Sequence, residues 1–289
     1  MSGFSTEWLA LREPFDAAAR SAALVAELRT HLAQEAGTAP LEVVDLGAGA
    51  GSNLRYLAPL LGGEQSWRLV DHDRALLDAA IVATRVWAEA RGAQVQQQGS
   101  VLTVRAADFV CDVHCEQHDL RDIAGVSLPA RGLVTAAALL DLVSAKWLEA
   151  LARRTTAALA YVCFVLTYDG RSVCTPADPE DAAVLALFNR HQHGDKGFGP
   201  ALGPDAASVA VSAFARRSYH LSVRPSDWRI GVHDAAIQRA LLDGWLGAAL
   251  ELAPDRTRDL TAWHERRRTL VAAGSSALSV GHVDLVGWL

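Results

Sequence analysis

Residues Leu41 to Leu46 form an apolar run that ends in Gly47, Gly49 and Gly51, and a helical pattern follows. A buried strand that turns sharply into a helix suits this order. Glycine fits such a turn because a backbone without Cβ atoms can bend left-handed and lie close to a ligand. The helix N-terminus behind the turn presents free N–H groups to a polar or anionic ligand. The junction therefore points to an α/β fold with a ligand at the strand tip.

The spacing narrows the ligand. A dinucleotide fingerprint reads G-x-G-x-x-G. Here the order is G-x-G-x-G, and counting from Gly49 fails because position 54 is Leu54. Asp45 precedes the first glycine by two residues. This Asp-x-Gly-x-Gly-x-Gly pattern resembles the first motif of the class I S-adenosylmethionine-dependent methyltransferases. In that family the loop receives the amino acid end of the cofactor, and a nearby carboxylate helps to bind its ammonium. The resemblance implies S-adenosylmethionine as cofactor and Asp45, Gly47, Ala48, Gly49, Gly51 and Asn53 as residues that meet it. A glycine-rich turn of another α/β protein is the alternative.

Further along, Trp67 to Val70 reads as a short strand that ends at Asp71-His72-Asp73. A carboxylate at such a tip accepts hydrogen bonds from both ribose hydroxyls, and Asp71 follows Gly51 by 20 residues, the distance a helix and a loop require. Dinucleotide enzymes share this feature, so it supports an adenosine ligand without separating the two families. His72 is expected to flank the adenine, and Asp73 to cap the helix from Arg74 to Ala90. Val101 to Val104 and Val110 to His118 read as a hairpin whose second strand belongs to the core. Asp119-Leu120 closes it, and the resemblance implies that Asp119 accepts the adenine amino group while Leu120 supplies a backbone N–H. Cys111, His114, Cys115 and His118 suggest a metal on paper. Strand alternation sends the cysteines and the histidines to opposite faces, so no metal site is expected.

Gly132 to Ala136 reads as the fourth strand. In the family its tip, here Ala136, passes the methyl-bearing sulfur. Ala136-Ala137-Ala138 stands where DNA amino-methyltransferases carry [DNS]-P-P-[YFW], which argues against a nucleic acid substrate. Asp141 follows, either facing the cleft as a base or exposed on the next helix.

The segment before the glycine loop carries helical periodicity in Trp8, Leu9, Leu11, Phe15, Leu24, Val25, Leu28 and Leu32, with Pro14 expected to separate two helices. The resemblance lays this segment over the cleft and makes Arg12 and Arg20 candidates to meet the ligand carboxylate; otherwise they are surface arginines. Ala158 to Tyr168 reads as a buried fifth strand ended by a turn at Asp169-Gly170. Cys163 is then core and Cys174 the exposed thiol. Residues 171–204 hold four prolines, a helix from Asp181 to Arg190 and the polar loop His191 to Pro200. This insert is expected to form a lid or substrate pocket, in which His191 or His193 can serve as a base; an ordinary surface loop is the alternative. Tyr219 to Val223 reads as a sixth strand, two helices follow, and Ser279 to Val286 is expected as an antiparallel last strand.

A formal net charge of −6, spread along the chain, argues against a nucleic acid or an anionic membrane as partner. Arg266-Arg267-Arg268 is a local basic patch or a solvated helix face. No apolar run reaches the ~18 residues of a membrane span. Met1 to Pro14 does not read as a signal peptide, and four cysteines fit a reducing cytoplasm. The expectation is a single domain over 1–289, with a helical N-terminal cap at 1–36 and an inserted region at 171–204. Its fold is Rossmann-like: a doubly wound, seven-stranded, mostly parallel sheet with an antiparallel last strand and helices on both faces. The implied enzyme, a monomer or homodimer, transfers a methyl group to a small-molecule acceptor that the sequence does not identify. The alternatives are a protein that keeps the fold without catalysis and a nicotinamide-dependent oxidoreductase.

Overall fold

A computed structural model describes residues 4–35 and 39–289; position 36, where the predicted cap ends, lies outside them. The chain begins with helices α1 (Thr6–Ala19) and α2 (Ala22–Glu35). Pro14 does not divide them, contrary to expectation, but sits inside α1. It removes only the N–H that would meet Ala10, on the exposed side of the helix where water can take the free carbonyl. The break falls instead at Arg20-Ser21, where the Ser21 N–H donates to Asp284 Oδ2 at 2.9 Å.

Then follow β1 (Leu41–Leu46), α3 (Ser52–Leu61), β2 (Gly63–Asp71), α4 (Arg74–Ala90), β3 (Gln94–Gln98), β4 (Val101–Arg105), β5 (Phe109–Gln117) and β6 (Leu133–Ala137). The second half comprises α5 (Ala145–Ala157), β7 (Tyr161–Thr175), α6 (Asp181–Gln192), α7 (Ala206–Ala215), β8 (His220–Pro225), β9 (Trp228–Ile230), α8 (Ala235–Leu252), α9 (Thr257–Ala272) and β10 (Ala277–Trp288). Several helix starts are written locally. Ser5 accepts from the Trp8 N–H, Asp73 from Ala75 and Leu76, and Ser144 from Trp147.

The strands form one sheet in the order β3-β4-β5-β2-β1-β6-β7-β10-β8, with β9 paired to β10. Its central strands, β5 to β7, are parallel, and β10 runs antiparallel between β7 and β8. Setting β3, β4 and β9 aside leaves the seven expected core strands. Alternation sends Val43 and Leu69 to a core shared with α2, α3 and α4, and Val44, Leu46 and Val70 to one shared with α5 and α7. Helices therefore cover both faces.

Two features place the site. The strand order reverses at β1, whose neighbours are β2 and β6, and ligands of open α/β sheets bind outside the carboxyl ends of strands at such a switch point. The glycine loop stands there. Second, β7 does not turn at Asp169-Gly170. It continues to Thr175, and its far half pairs with Ala277 to Val280 of β10. With β9, α6, α8 and α9 this ribbon packs into one unit in the second half of the chain, here called the C-terminal cap. The cap thus includes residues far beyond 171–204. Cys174, expected to be exposed, is buried in it.

Candidate active site

The glycine loop is built as its sequence requires. Gly47, Gly49 and Gly51 take φ of 68°, 51° and 78°, a region that costs side-chain-bearing residues strain. Gly47 and Ala48 both donate to the Val70 carbonyl, at 2.9 and 3.1 Å, which ties the loop to the tip of β2. Asp71 completes that tie: its Oδ2 accepts the Gly49 N–H at 2.9 Å and its Oδ1 the Asp73 N–H at 3.0 Å. Each oxygen keeps a further acceptor position.

At the tip of β1 the charges are not settled. Asp45 is wholly buried, and its Oδ1 accepts from Asn53 Nδ2 at 2.6 Å. The same Asn53 nitrogen reaches Thr135 Oγ1 at 3.0 Å, and that hydroxyl donates to the Cys163 carbonyl at 2.7 Å. Asp45 Oδ2 and Asn53 Oδ1 are buried without a hydrogen-bond partner among the described residues. Burial pushes the Asp45 carboxyl up to about 7, against the Asn53 bond and the Arg20 charge, with Asp71 adding to the rise. Arg20, at the α1–α2 break, is 7% exposed, and its Nε and Nη2 also lack partners among the described residues. Its guanidinium lies 3.9 Å from the centre of the Tyr56 ring. A cavity of about 290 Å³ opens there, lined by Asp16, Arg20, Ser52, Tyr56, Ala137 and Leu166 among others. A larger cavity, about 680 Å³, lies at the opposite edge of the sheet by Glu42, Glu64 and Gly132, away from the glycine loop.

Arg12, the other candidate from the N-terminal helices, is already paired. It grips Asp16 at 2.9 and 3.2 Å, and Asp16 also accepts from Trp228 Nε1 at 3.1 Å. Nothing in the local sequence separates the two arginines, because the partner Asp16 is equally available to both on the helix.

The remaining predicted residues gather along the same edge. His72 is exposed, with Nδ1 3.2 Å from Asp71 Oδ1. Asp119 holds Arg121 through its backbone N–H at 2.9 Å and its guanidinium, and Arg121 keeps its carboxyl down at about 2. The Gln117 amide donates to the His72 carbonyl at 3.1 Å, so His72 and Asp119 both stand at the β2–β5 boundary. Leu120 is buried, and its carbonyl accepts Trp147 Nε1 at 2.5 Å. Ala136 is buried near the tip of β6. Leu9 of α1 and Leu139 close over the loop: a Cβ on Gly49 would lie 3.3 Å from Leu9, and one on Gly47 3.3 Å from Leu139.

The predicted histidines stand further out. His191 Nε2 lies 3.0 Å from Glu251 and its Nδ1 3.2 Å from Lys196 Nζ. His193 Nδ1 lies 3.4 Å from the Ala201 carbonyl, which serves to shape the loop. The Arg266–Arg268 run is not a free patch: Arg266 and Arg268 lie on a solvent-exposed helix face, and Arg267 is buried. Arg266 pairs with Asp178, Arg267 with Asp181 and Arg268 with Asp243.

No protein-family model matches the sequence, and no curated protein does. Solved structures overlap it loosely. A methyltransferase from Thiobacillus denitrificans in complex with S-adenosylhomocysteine is 13% identical, covers 98% of both chains and gives a TM-score of 0.43. Another such complex, from Geobacter sulfurreducens, is 14% identical over 93% of this chain and 91% of that one, with a TM-score of 0.43. A cyclopropane synthase from Mycobacterium tuberculosis is 10% identical over 90% and 83%, with a TM-score of 0.42.

Proposed function

We propose that the chain is an enzyme that transfers a methyl group from S-adenosylmethionine to a small-molecule acceptor. One observation carries this reading. A carboxylate oxygen on Asp45 and guanidinium nitrogens on Arg20, all without hydrogen-bond partners among the described residues, are buried beside a left-handed glycine turn. Leaving such groups unmet in a folded protein is costly. An α-amino acid answers both: its ammonium suits Asp45 Oδ2 and Asn53 Oδ1, and its carboxylate suits Arg20.

The other residues extend the cradle. Asp71 has acceptor positions left for ribose hydroxyls. His72, Asp119 and the Leu120 N–H border the place for an adenine, and Ala136 leaves room near the β6 tip. When bound, the sulfonium of the cofactor supplies an already activated methyl group. The protein then has to position the acceptor and receive its proton. Leu9 and Leu139 lie against the loop, so α1 has to give way on binding.

The acceptor is taken to be small because the cap, not a basic surface, borders the reactive side, and the net charge is −6. No helix among the described residues is long and apolar enough to cross a membrane. Four free thiols suit a reducing cytoplasm.

Calorimetry tests the reading. S-adenosylmethionine and S-adenosylhomocysteine should bind and NAD should not. 5′-Methylthioadenosine, which lacks the amino acid end, should bind about tenfold or more weakly, and Arg20→Ala should erase that difference. No heat from either sulfur nucleoside would reject the assignment.

A further inference from the structure

One acidic side chain outside the cofactor cradle ties together two parts of the chain that border the cavity at Arg20. Asp284 of β10 is 1% exposed. Its Oδ2 accepts the Ser21 N–H at 2.9 Å and its Oδ1 the Leu166 N–H at 2.8 Å. Leu166 and Arg20 both line the cavity, and Ser21 directly follows Arg20. Asp141, the predicted base, does not line that cavity.

Each of the two bonds stands where regular structure stops. In a continuing helix the Ser21 N–H would point to the Ala17 carbonyl. Asp284 takes it instead, and α1 ends with Arg20 at φ −65° and ψ 145°. In β7 the register with β10 shifts between Val283 and Leu285, so Val165 and Leu166 together stand opposite Asp284. Two residues facing one make a β-bulge. Leu166 takes a φ of 55° there, and its N–H goes to the Asp284 side chain. The Val165 carbonyl accepts the Ala138 N–H at 2.9 Å, which fixes the bulge to the end of β6.

We infer that Asp284 is a positioning residue for the carboxylate of the cofactor: it fastens the Arg20–Ser21 peptide to the sheet and so sets where the Arg20 guanidinium reaches. The inference rests on the cofactor assignment above. The other backbone bonds of Arg20 are long. Its N–H meets the Asp16 carbonyl at 3.3 Å, and the Tyr56 hydroxyl meets its carbonyl at 3.5 Å. The charge-assisted bond to Asp284 is the short one. The Arg20 guanidinium lies over the Tyr56 ring, and its Nε and Nη2 have no hydrogen-bond partner among the described residues. Its placement therefore follows the backbone beneath it, and a fork that grips a carboxylate tolerates little displacement. The nucleoside end is assigned to Asp71 and the β2–β5 boundary, on the opposite side of β1 from β10. Asp284 thus acts on the amino acid end of the ligand alone.

Calorimetry on the full chain compares S-adenosylhomocysteine with 5′-methylthioadenosine, which lacks that end. Asp284→Asn keeps the shape of the side chain but leaves one acceptor for two N–H groups. It should weaken S-adenosylhomocysteine about fivefold or more and leave 5′-methylthioadenosine binding as it was. Ser21→Pro removes the donor and keeps the Asp284 charge; Arg20 already has the extended ψ that precedes a proline. It should cause the same selective loss, read against Ser21→Ala, which lacks the same hydroxyl but keeps the N–H. Arg20 and Asp284 should be coupled: in the Arg20→Ala background, Asp284→Asn should change S-adenosylhomocysteine affinity less than about twofold.

A clamp that only stabilises the fold would lower Tm and weaken both nucleosides alike, so equal losses overturn the proposal. Losses that add in the Arg20→Ala background overturn it too, as does a Ser21→Pro chain that binds like Ser21→Ala. If Asp284→Asn does not fold, the Ser21 pair carries the test. A wild-type chain that binds neither nucleoside would instead overturn the cofactor assignment.

Discussion

Two places in this molecule bury charge, and they treat it in opposite ways. Where α6 meets α9, Arg267 is fully buried and every arm is used. Its Nε reaches Asp181 Oδ1 at 3.0 Å, its Nη1 the Pro176 carbonyl at 2.6 Å, and its Nη2 the other Asp181 oxygen. Trp263 adds a donor to Asp181 at 2.9 Å, and Arg266 holds the Asp178 carboxyl down at about 2. At the tip of β1, Asp45 is buried as deeply and Arg20 nearly so, and both keep atoms without hydrogen-bond partners among the described residues. Both sites carry opposite charges, so charge alone does not tell them apart. Satisfaction does. A closed network joins elements, whereas an open one is completed only by something that binds.

Substitutions should break this contrast in graded ways. The largest effect on stability is expected from Arg267→Ala, which strands Asp181 and the Pro176 carbonyl. Removing one partner of a buried pair costs about 3–5 kcal/mol, a drop in Tm on the order of 10 °C by thermal denaturation. S-adenosylhomocysteine affinity of the folded variant should not change. A Tm near wild type would mean that the network is not structural.

Asp45→Asn should act with the opposite sign. The folded-state value of about 7 lies above the unfolded value of about 3.9. Ionising Asp45 therefore opposes folding: the stability it contributes is complete below about 3.9 and lost as pH rises through about 7. The Asn variant should melt higher than wild type at alkaline pH and nearly alike in acid, yet bind S-adenosylhomocysteine about tenfold or more weakly. Wild-type affinity should itself decline on acidification below about 7, as Asp45 loses the charge that faces the ligand ammonium. A variant that melts lower at alkaline pH and binds normally would place Asp45 with the structural network.

The smallest effect is expected from Leu9→Ala, which trims the side chain over Gly49. Stopped-flow binding should show faster association with a modest cost in stability, about 1 kcal/mol. An unchanged association rate would show that α1 does not limit access.

The half of the molecule around the glycine loop was legible because its signals are local. Gly47, Gly49 and Gly51 are needed for left-handed backbone, Asp73 caps the helix that starts beside it, and Asp71 ends its own strand. The cap was less legible. Asp169-Gly170 has turn composition, yet β7 runs through it, because its partner residues in β10 lie more than 100 positions later. Gly170 accommodates the irregularity with a φ of 85°, and Arg171 is held by both Asp169 and Asp227. Cys174 is buried by the same distant pairing. The edge strand β3 is not legible in the sequence because Gln96, Gln97 and Gln98 are exposed and show no alternation.

The sequence by itself determined the α/β frame, the bend after β1 and the carboxylates at the strand tips, since these follow from backbone freedom, apolar patterning and residues a few positions apart. Only the tertiary structure decided that Arg12 is held by Asp16 while Arg20 keeps two nitrogens without a hydrogen-bond partner among the described residues, and that Arg267 is buried against Asp181. Such distinctions depend on which atoms remain unsatisfied after burial. That is set by elements brought together across the chain rather than by neighbours along it.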